Sequence, residues 1–287
     1  MASDEKIFKT LDNYFEKLDS APISSPGMFK SDHHKEHYET IFMYSFRKYR
    51  AAIYHYSNVK NFIKTNEDVA QKLLSRGTKE DKTSKVAISM TADQYTYELS
   101  AFLEALKSSV DFLAVACCLH LPGIKSDSIS PLMKIAKNGV KQGPIFNEIR
   151  QNLEWLEGLR SYRHHLVHYR IMSTSCGYEK RVINGIPKII VHPVCIPESP
   201  PPYVPDTRIR RAMEKSSCFD YSSSKICVKT ENGTEKIIDC AFKYYPQAGY
   251  IAIEEFMELQ INSFEKFFTE IIDALSNLDF KTYTFSK

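Results

Sequence analysis

The sequence predicts a mainly α-helical protein, an up-down helical bundle with a β-hairpin-rich insertion before the last helix. Two observations favour this class. Up to about residue 170, apolar side chains recur every three or four positions, which is the spacing of a helix with one buried face. From about 176 to 250 this period is absent, and Asn-Gly pairs stand between β-branched runs. We therefore expect a helical bundle over 1–175, a β-rich insertion over 176–250, and a C-terminal helix within 251–287 that returns to the bundle.

Five helices are expected before the insertion. Their ranges, taken from the apolar stripes and the breaks between them, are 3–19, 33–75, 91–120, 130–138 and 144–171. The second range contains neither glycine nor proline, so it forms either one long helix or two stacked ones. The polar, charged stretch SRGTKEDKTSK (75–85) is expected to be a loop.

Two hairpins are expected in the insertion, with turns at Asn184-Gly185 and at Asn232-Gly233. Between them lies PESPPPYVPD, a proline-rich segment that should be extended. The basic stretch TRIRRAMEK (207–215) follows it, and it either contacts nucleic-acid phosphates or forms a solvated loop. A helix resumes after Tyr250 and continues to about 278.

The composition is that of a folded protein, with 43% hydrophobic and 25% charged residues and a formal net charge of +3. This charge is too small to attract nucleic acid by itself, so such a partner would need a local basic patch. The longest apolar run, FLAVACCLHL, is about half the roughly 20 residues that a membrane span needs. The N-terminal MASDEKIFKT lacks the apolar stretch of a secretion signal. We expect a cytoplasmic protein with no membrane partner and with reduced cysteines.

A cationic turn interrupts the apolar stripe of the helix predicted over 144–171. The aliphatic residues of this helix lie within roughly a 60° sector, and five further positions continue that sector towards the C-terminus. These are Arg160, Arg163, His164, Val167 and Ile171, with His168 at the margin. An isolated charge is costly to bury unless it is paired or faces water. The turn is therefore expected to line a cavity, a groove or a subunit interface.

Three interpretations of this turn remain open. Acidic residues of neighbouring helices, such as Glu98, Glu104 or Asp111, could pair with its cations. His164 and His168 are four residues apart and could bind a metal ion, although the sequence offers no evident third ligand. In the third interpretation, an arginine binds phosphate bidentately while a histidine transfers protons near neutral pH.

The segment from Arg163 to His168 resembles the R-x4-H motif of the HEPN superfamily, in which a polar residue directly follows the arginine. His164 occupies that position, and the motif lies at the end of a long helix, as it does in the family. The earlier helix YELSAFLEALKSSVDFLA (97–114) is similar to the acidic helix with Lys-Ser-x-x-Asp that packs beside the motif in several HEPN groups. The resemblance covers about residues 35–172.

The resemblance implies a metal-independent endoribonuclease that cleaves single-stranded RNA through its 2′-hydroxyl, without a cofactor. Arg163 would bind the phosphate, His164 would orient it, and His168 would act as general base or acid. The protein would be a homodimer whose two motifs face one another. It would be a toxin or defence-like ribonuclease with an antitoxin or inhibitor protein as a further partner. The alternative is a non-catalytic dimeric HEPN module that binds RNA or nucleotide.

Overall fold

The computed structural model describes residues 2–20, 32–76, 86–91, 93–121, 123–169, 175–183, 186–200, 225–229, 235–239 and 249–278. Within these ranges the protein is mainly α-helical. The helices are α1 (Ala2–Ser20), α2 (Asp32–Arg76), α3 (Asp93–Cys118), α4 (Ile129–Asn138), α5 (Pro144–Gln151), α6 (Leu153–Tyr169) and α7 (Ile253–Ser276). The strands are β1 (Val86–Thr91), β2 (Ser175–Ile183), β3 (Ile186–His192), β4 (Cys195–Pro197), β5 (Lys225–Lys229), β6 (Glu235–Asp239) and β7 (Tyr250–Ala252).

The predicted mainly α class is confirmed, and the helices begin and end close to the expected residues. The range 33–75 forms a single helix, α2. The expected helix over 144–171 is two helices, because Asn152 interrupts it between α5 and α6 with φ −103° and ψ 12°. Its side-chain Nδ2 donates to the backbone oxygen of Glu148 at 2.9 Å, so the amide satisfies a carbonyl at the end of α5. None of the described helices combines the length and the apolar composition of a membrane span.

Both predicted hairpins are confirmed in their strand pairing. Strands β2 and β3 are antiparallel and end with Ile183 opposite Ile186. Strands β5 and β6 are antiparallel and end with Lys229 opposite Glu235. The Asn-Gly turn residues themselves lie outside the described residues. A third antiparallel pair joins β4 to β7.

Strand β1 was not predicted from the sequence. It precedes α3, yet it pairs antiparallel with β2, from Val86 opposite Lys180 to Thr91 opposite Ser175. The three-stranded sheet therefore has the order β1-β2-β3 and contains a strand from outside the range 176–250. A six-residue run beside a polar stretch of sequence gives little periodicity. The division into 1–175, 176–250 and 251–287 stays a prediction.

The chain forms two compact units. The helical unit consists of Met1–His55, Ala101–Leu156 and Glu258–Lys287. The mixed unit consists of Tyr56–Ser100 and Glu157–Met257, and it contains all the described strands.

Polar contacts accompany apolar packing in the core of the helical unit. The Ser45 hydroxyl donates to the backbone oxygen of Ser109 at 2.8 Å, and the Ser109 hydroxyl donates to that of Ser45 at 2.7 Å. These reciprocal bonds bring α2 and α3 close together. Tyr49 is fully buried, stacks on Phe264 with ring centroids 5.0 Å apart, and donates its hydroxyl proton to Glu265 at 2.6 Å. Helix α7 is thereby packed on α2 in this unit.

Candidate functional site

The start of α6 is held against α7 in the helical unit. Asn152, just before α6, donates from Nδ2 to the Glu270 carboxylate at 3.0 Å. The indole Nε1 of Trp155 donates to the side-chain oxygen of Gln260 at 3.0 Å, and the ring packs on Phe267. The same helix continues to Tyr169, so these contacts fix the first turn of the helix that carries the R-x4-H residues.

In the mixed unit, the apolar stripe of α6 continues further than the sequence analysis indicated. Leu159, Tyr162 and Leu166 are buried and lie within about 60° of one another around the helix. Arg163 lies beside this stripe and is half-buried, whereas His164 lies on another side of the helix and is only 7% exposed. Because buried residues occur on more than one side, α6 is enclosed here rather than lying on the surface.

The structure describes the side chains of two of the three candidate residues, Arg163 and His164. They are consecutive on α6, so their side chains leave the helix about 100° apart. His168 lies one turn after His164, on the last turn of the helix, and its side chain is outside the described part of the protein, as is that of His165. Ile171 also lies outside it. The catalytic roles of Arg163, His164 and His168 stay predictions.

Two of the three acidic residues considered as partners of this turn, Glu98 and Asp111, make contacts elsewhere. Glu98 accepts a hydrogen bond from Asn58 Nδ2 at 3.2 Å. Asp111 pairs with Lys107 and accepts the backbone N–H of Ile129 at 3.0 Å. Arg163 and His164 both interact with other groups as well. Because Arg163 is half-buried, His164 is buried and both have other contacts, this turn could serve a structural role as well as a catalytic one.

A metal site has no further support in the described residues, where no group of three histidine, cysteine, aspartate or glutamate side chains is placed to bind an ion. The interpretation that pairs His164 with His168 therefore has no third ligand from this part of the chain. The basic stretch 207–215 lies outside the described residues, so its proposed contact with phosphates stays a prediction.

Tyr162 is a site residue that sequence reasoning missed. Its side chain is 3% exposed, and its hydroxyl lies 2.7 Å from the backbone oxygen of Pro197 and 2.6 Å from that of Glu198. Burial and the nearby Glu198 carboxylate raise the pKa of the Tyr162 phenol, so it stays a proton donor. The ring meets Phe256 edge-on, with centroids 4.6 Å apart. No local sequence signal indicates these contacts, because the acceptors are distant in the chain.

The carbonyls that Tyr162 binds belong to a narrow stem, formed by residues 195–200 and 249–253. Strand β4 pairs with β7 in the stem, and the Glu198 N–H donates to the Gly249 oxygen at 2.8 Å. The Ile253 N–H donates to the Val194 oxygen at 2.9 Å. The segment between Glu198 and Gly249 therefore starts and ends beside Tyr162.

A second buried polar cluster lies in the helical unit. The hydroxyls of Tyr14 and Tyr38 are 2.6 Å apart, and the Tyr38 hydroxyl is 2.5 Å from Nε2 of His120. Burial lowers the pKa of His120 to about 4. The Tyr38 side chain is fully buried, so its hydroxyl lies inside the helical unit. Buried hydroxyls need partners, and these residues supply them to one another.

Comparison with known proteins finds no protein-family model, no curated protein and no solved structure that matches this chain. The resemblance to the HEPN superfamily therefore depends on the R-x4-H pattern and its helix, and it stays a hypothesis about this protein.

Proposed function

We propose that this protein is a metal-independent endoribonuclease of the HEPN type that cleaves single-stranded RNA. The observation that carries the proposal is the R-x4-H pattern from Arg163 to His168 within one helix. Helix α6 runs from Leu153 to Tyr169, so the motif occupies its C-terminal end, as the resemblance requires. His164 and His168 are one helical turn apart on this backbone.

The chemistry requires few protein groups, because RNA carries its own nucleophile. The 2′-hydroxyl attacks the adjacent phosphorus, the 5′-oxygen leaves, and the product carries a 2′,3′-cyclic phosphate. One group must accept the 2′ proton, another must protonate the leaving oxygen, and a cation must stabilise the charge that develops on phosphorus oxygens. Arg163 suits the last task, because its guanidinium is permanently charged and can bind two phosphate oxygens.

His168 is the proposed proton-transfer group, because an imidazole exchanges protons near neutral pH. His164, buried next to Arg163, would orient the phosphate. One chain supplies one His168, whereas the reaction needs both a base and an acid. A homodimer with facing motifs would supply a histidine for each proton transfer. We propose a toxin or defence-like role, with an antitoxin or inhibitor protein as a partner.

One observation favours the alternative of a non-catalytic dimeric HEPN module that binds RNA or nucleotide. His164 is only 7% exposed, so its imidazole has little access to a substrate in this single chain, whereas Arg163 is partly exposed and can still contact a phosphate. In this alternative Arg163 serves structure or phosphate binding, and no bond is cleaved.

The two functions are separated by incubating the full-length protein with mixed-sequence single-stranded RNA in EDTA and resolving the products on a gel. The ribonuclease cuts, and Arg163→Ala and His168→Ala both lower the rate of cutting strongly, by about 10²–10⁴-fold for His168→Ala. The matched comparison is His165→Ala, which changes a neighbouring histidine that ends another R-x4-H spacing, from Arg160, and to which we assign no role in the site; it should leave cleavage intact. RNA that is bound but uncut by the wild-type protein would instead indicate the non-catalytic module.

A further inference from the structure

We propose that one exposed face of α2 in the helical unit binds single-stranded RNA through its phosphates and its unpaired bases. This face, which we call the α2 surface, consists of Tyr44, Arg47, Lys48, Arg50 and Tyr54. The inference deepens the proposed function and rests on it for the identity of the bound strand, RNA. All five residues lie outside the R-x4-H pattern, and none of them has a part in the cleavage chemistry.

The first observation is the charge of this part of the chain. No acidic residue occurs from Thr40 to Asn66, and five cationic residues occur there, namely Arg47, Lys48, Arg50, Lys60 and Lys64. This segment therefore carries a formal charge of +5, although the whole chain carries only +3. A nucleic-acid partner of a nearly neutral protein needs a local basic patch, and this segment of α2 supplies one.

The second observation is that the cations of the α2 surface are available to a ligand. Arg47, Lys48 and Arg50 are exposed. Within the described ranges, no carboxylate forms an ion pair with any of the three. Cations that the protein does not itself neutralise can displace the counterions of a polyanion, which is the main source of affinity for a phosphate backbone.

The third observation concerns the aromatic rings of the same surface. Tyr54 is 63% exposed, so a large part of its ring faces solvent. The ring of Tyr44 packs against Phe112 of α3 with centroids 5.5 Å apart, and the Arg47 guanidinium lies 5.9 Å from the Tyr44 centroid. Phenol rings and planar guanidinium groups are the surfaces on which unpaired bases stack. The α2 surface therefore offers both kinds of contact that a single strand uses.

The helix places these rings and cations along one line. At about 100° per residue, Arg47 and Tyr54 lie within about 20° of each other around α2, and Tyr44 lies about 60° from Arg47. At a rise of about 1.5 Å per residue, Tyr44 and Tyr54 are about 15 Å apart along the axis. This is roughly the length of four stacked nucleotides, at about 3.4 Å each. A short strand that runs along α2 therefore meets rings and cations together.

A single strand fits the α2 surface better than a duplex or an anionic membrane does. In a duplex the bases stack on one another, so the exposed tyrosines would gain no contact with them. A helix that binds a membrane presents its apolar face to the bilayer, whereas the apolar face of α2 is buried, with Phe42 and Tyr49 in the core of the helical unit. Unpaired bases on a phosphate backbone use both the rings and the charge.

The test measures binding separately from cleavage. The full-length protein is titrated into a labelled, mixed-sequence, single-stranded 2′-O-methyl RNA, which lacks the nucleophile, and fluorescence anisotropy gives Kd at several salt concentrations. Tyr54→Ala should raise Kd about fivefold or more, the effect of one lost base stack. The double variant Arg47→Gln/Arg50→Gln should raise Kd and reduce the steepness of its salt dependence by about 1.4 logarithmic units per decade of salt, about 0.7 for each lost phosphate contact.

Matched controls keep the ring or change the same groups elsewhere. Tyr54→Phe keeps the stacking ring and should bind as the wild type does. Tyr97→Ala removes a tyrosine of the mixed unit that is 71% exposed. Lys134→Gln/Lys137→Gln removes two exposed cations of α4 that have the same spacing as Arg47 and Arg50. Both of these controls should leave Kd and its salt dependence at the wild-type values, and thermal unfolding verifies that every variant is folded.

The outcomes separate this inference from the proposed function. The inference is wrong if the wild type does not bind the single strand, or if Tyr54→Ala binds it as tightly as the wild type does. It is also wrong if the substitutions in the α2 surface instead reduce binding to vesicles of phosphatidylserine and phosphatidylcholine and leave binding to the strand unchanged. If the α2 surface binds the strand as expected but the wild type cuts no RNA in the gel assay, the ribonuclease proposal fails while this inference stands.

Discussion

The Tyr38 hydroxyl and Nε2 of His120 are 2.5 Å apart inside the core of the helical unit. His120 is 1% exposed, and its ring meets that of Tyr38 edge-on. The other titratable groups of this cluster are Tyr14 and Cys117, and burial raises the pKa of both, so they are neutral near pH 7. This arrangement makes the stability of the helical unit dependent on the neutral state of one histidine.

The first prediction is that stability falls as the pH is lowered from about 6.5 towards 4. The pKa of His120 is about 4 in the folded protein, against an ordinary value of 6.5, so the unfolded chain binds a proton first as the pH falls. The stabilisation is complete above pH 6.5, and its loss approaches about 3 kcal/mol near pH 4. Thermal unfolding across this range measures it. In His120→Gln the slope should be shallower, whereas the exposed-residue control His37→Gln should keep the wild-type slope.

The second prediction concerns the hydroxyl at the centre of the cluster. Tyr38→Phe removes a hydroxyl that contacts both Tyr14 and His120 in a buried environment, so it should lower the free energy of unfolding by about 1–3 kcal/mol. Urea denaturation measures the change. Tyr54→Phe is the matched control, because the Tyr54 side chain is 63% exposed, and its effect should stay within about 0.5 kcal/mol. Equal effects of the two substitutions would show that the cluster adds no stability.

The helices could be predicted because each carries its own apolar stripe, and the hairpins because Asn-Gly is a local turn signal. Strand β1 and Tyr162 could not, because their partners are distant in sequence: Val86 pairs with Lys180, and Tyr162 binds Pro197. The break at Asn152 was missed for a different reason. Asparagine is tolerated within helices, so Asn152 gives no clear signal that the helix ends. Its side chain binds Glu270, and no local sequence pattern reveals that contact.

The third prediction follows from that interruption. Asn152→Ala removes the amide that binds both the Glu148 backbone oxygen and the Glu270 carboxylate. Although alanine favours helix, Asn152 is 9% exposed, and the loss of both bonds should destabilise the protein by about 1–3 kcal/mol. Calorimetric unfolding provides the measurement, with the exposed Asn138→Ala in α4 as control. A variant as stable as the wild type would mean that the two bonds contribute nothing net.

The fourth prediction concerns assembly. A catalytic site with a histidine for each proton transfer needs two copies of the motif, and a two-fold interface is the simplest way to supply them. Light scattering at micromolar concentration should therefore give the mass of a dimer, twice 33.1 kDa. A strictly monomeric protein that still cleaves RNA would exclude the two-sided site and leave a mechanism based on one motif.

The candidate site itself was only partly predictable. The R-x4-H residues were found because they are consecutive or one turn apart on a single helix, where sequence spacing determines position. Their surroundings were not predictable. The buried stripe of α6 continues through Leu159 and Leu166, whereas the spacing in the sequence predicted that it continues through the cationic residues. Burial of His164 likewise depends on packing around α6, which residue spacing does not determine.

The central claim is that RNA supplies the nucleophile and the protein supplies Arg163 and His168. It is tested most directly with a single-stranded RNA and the same oligonucleotide carrying one 2′-deoxy substitution at the scissile position, both in EDTA. We predict cleavage of the first to a 2′,3′-cyclic phosphate, no cleavage of the second, and a loss of about 10²–10⁴-fold in His168→Ala. Cleavage of the deoxy substrate, or activity that disappears in EDTA and returns with zinc, would contradict this mechanism.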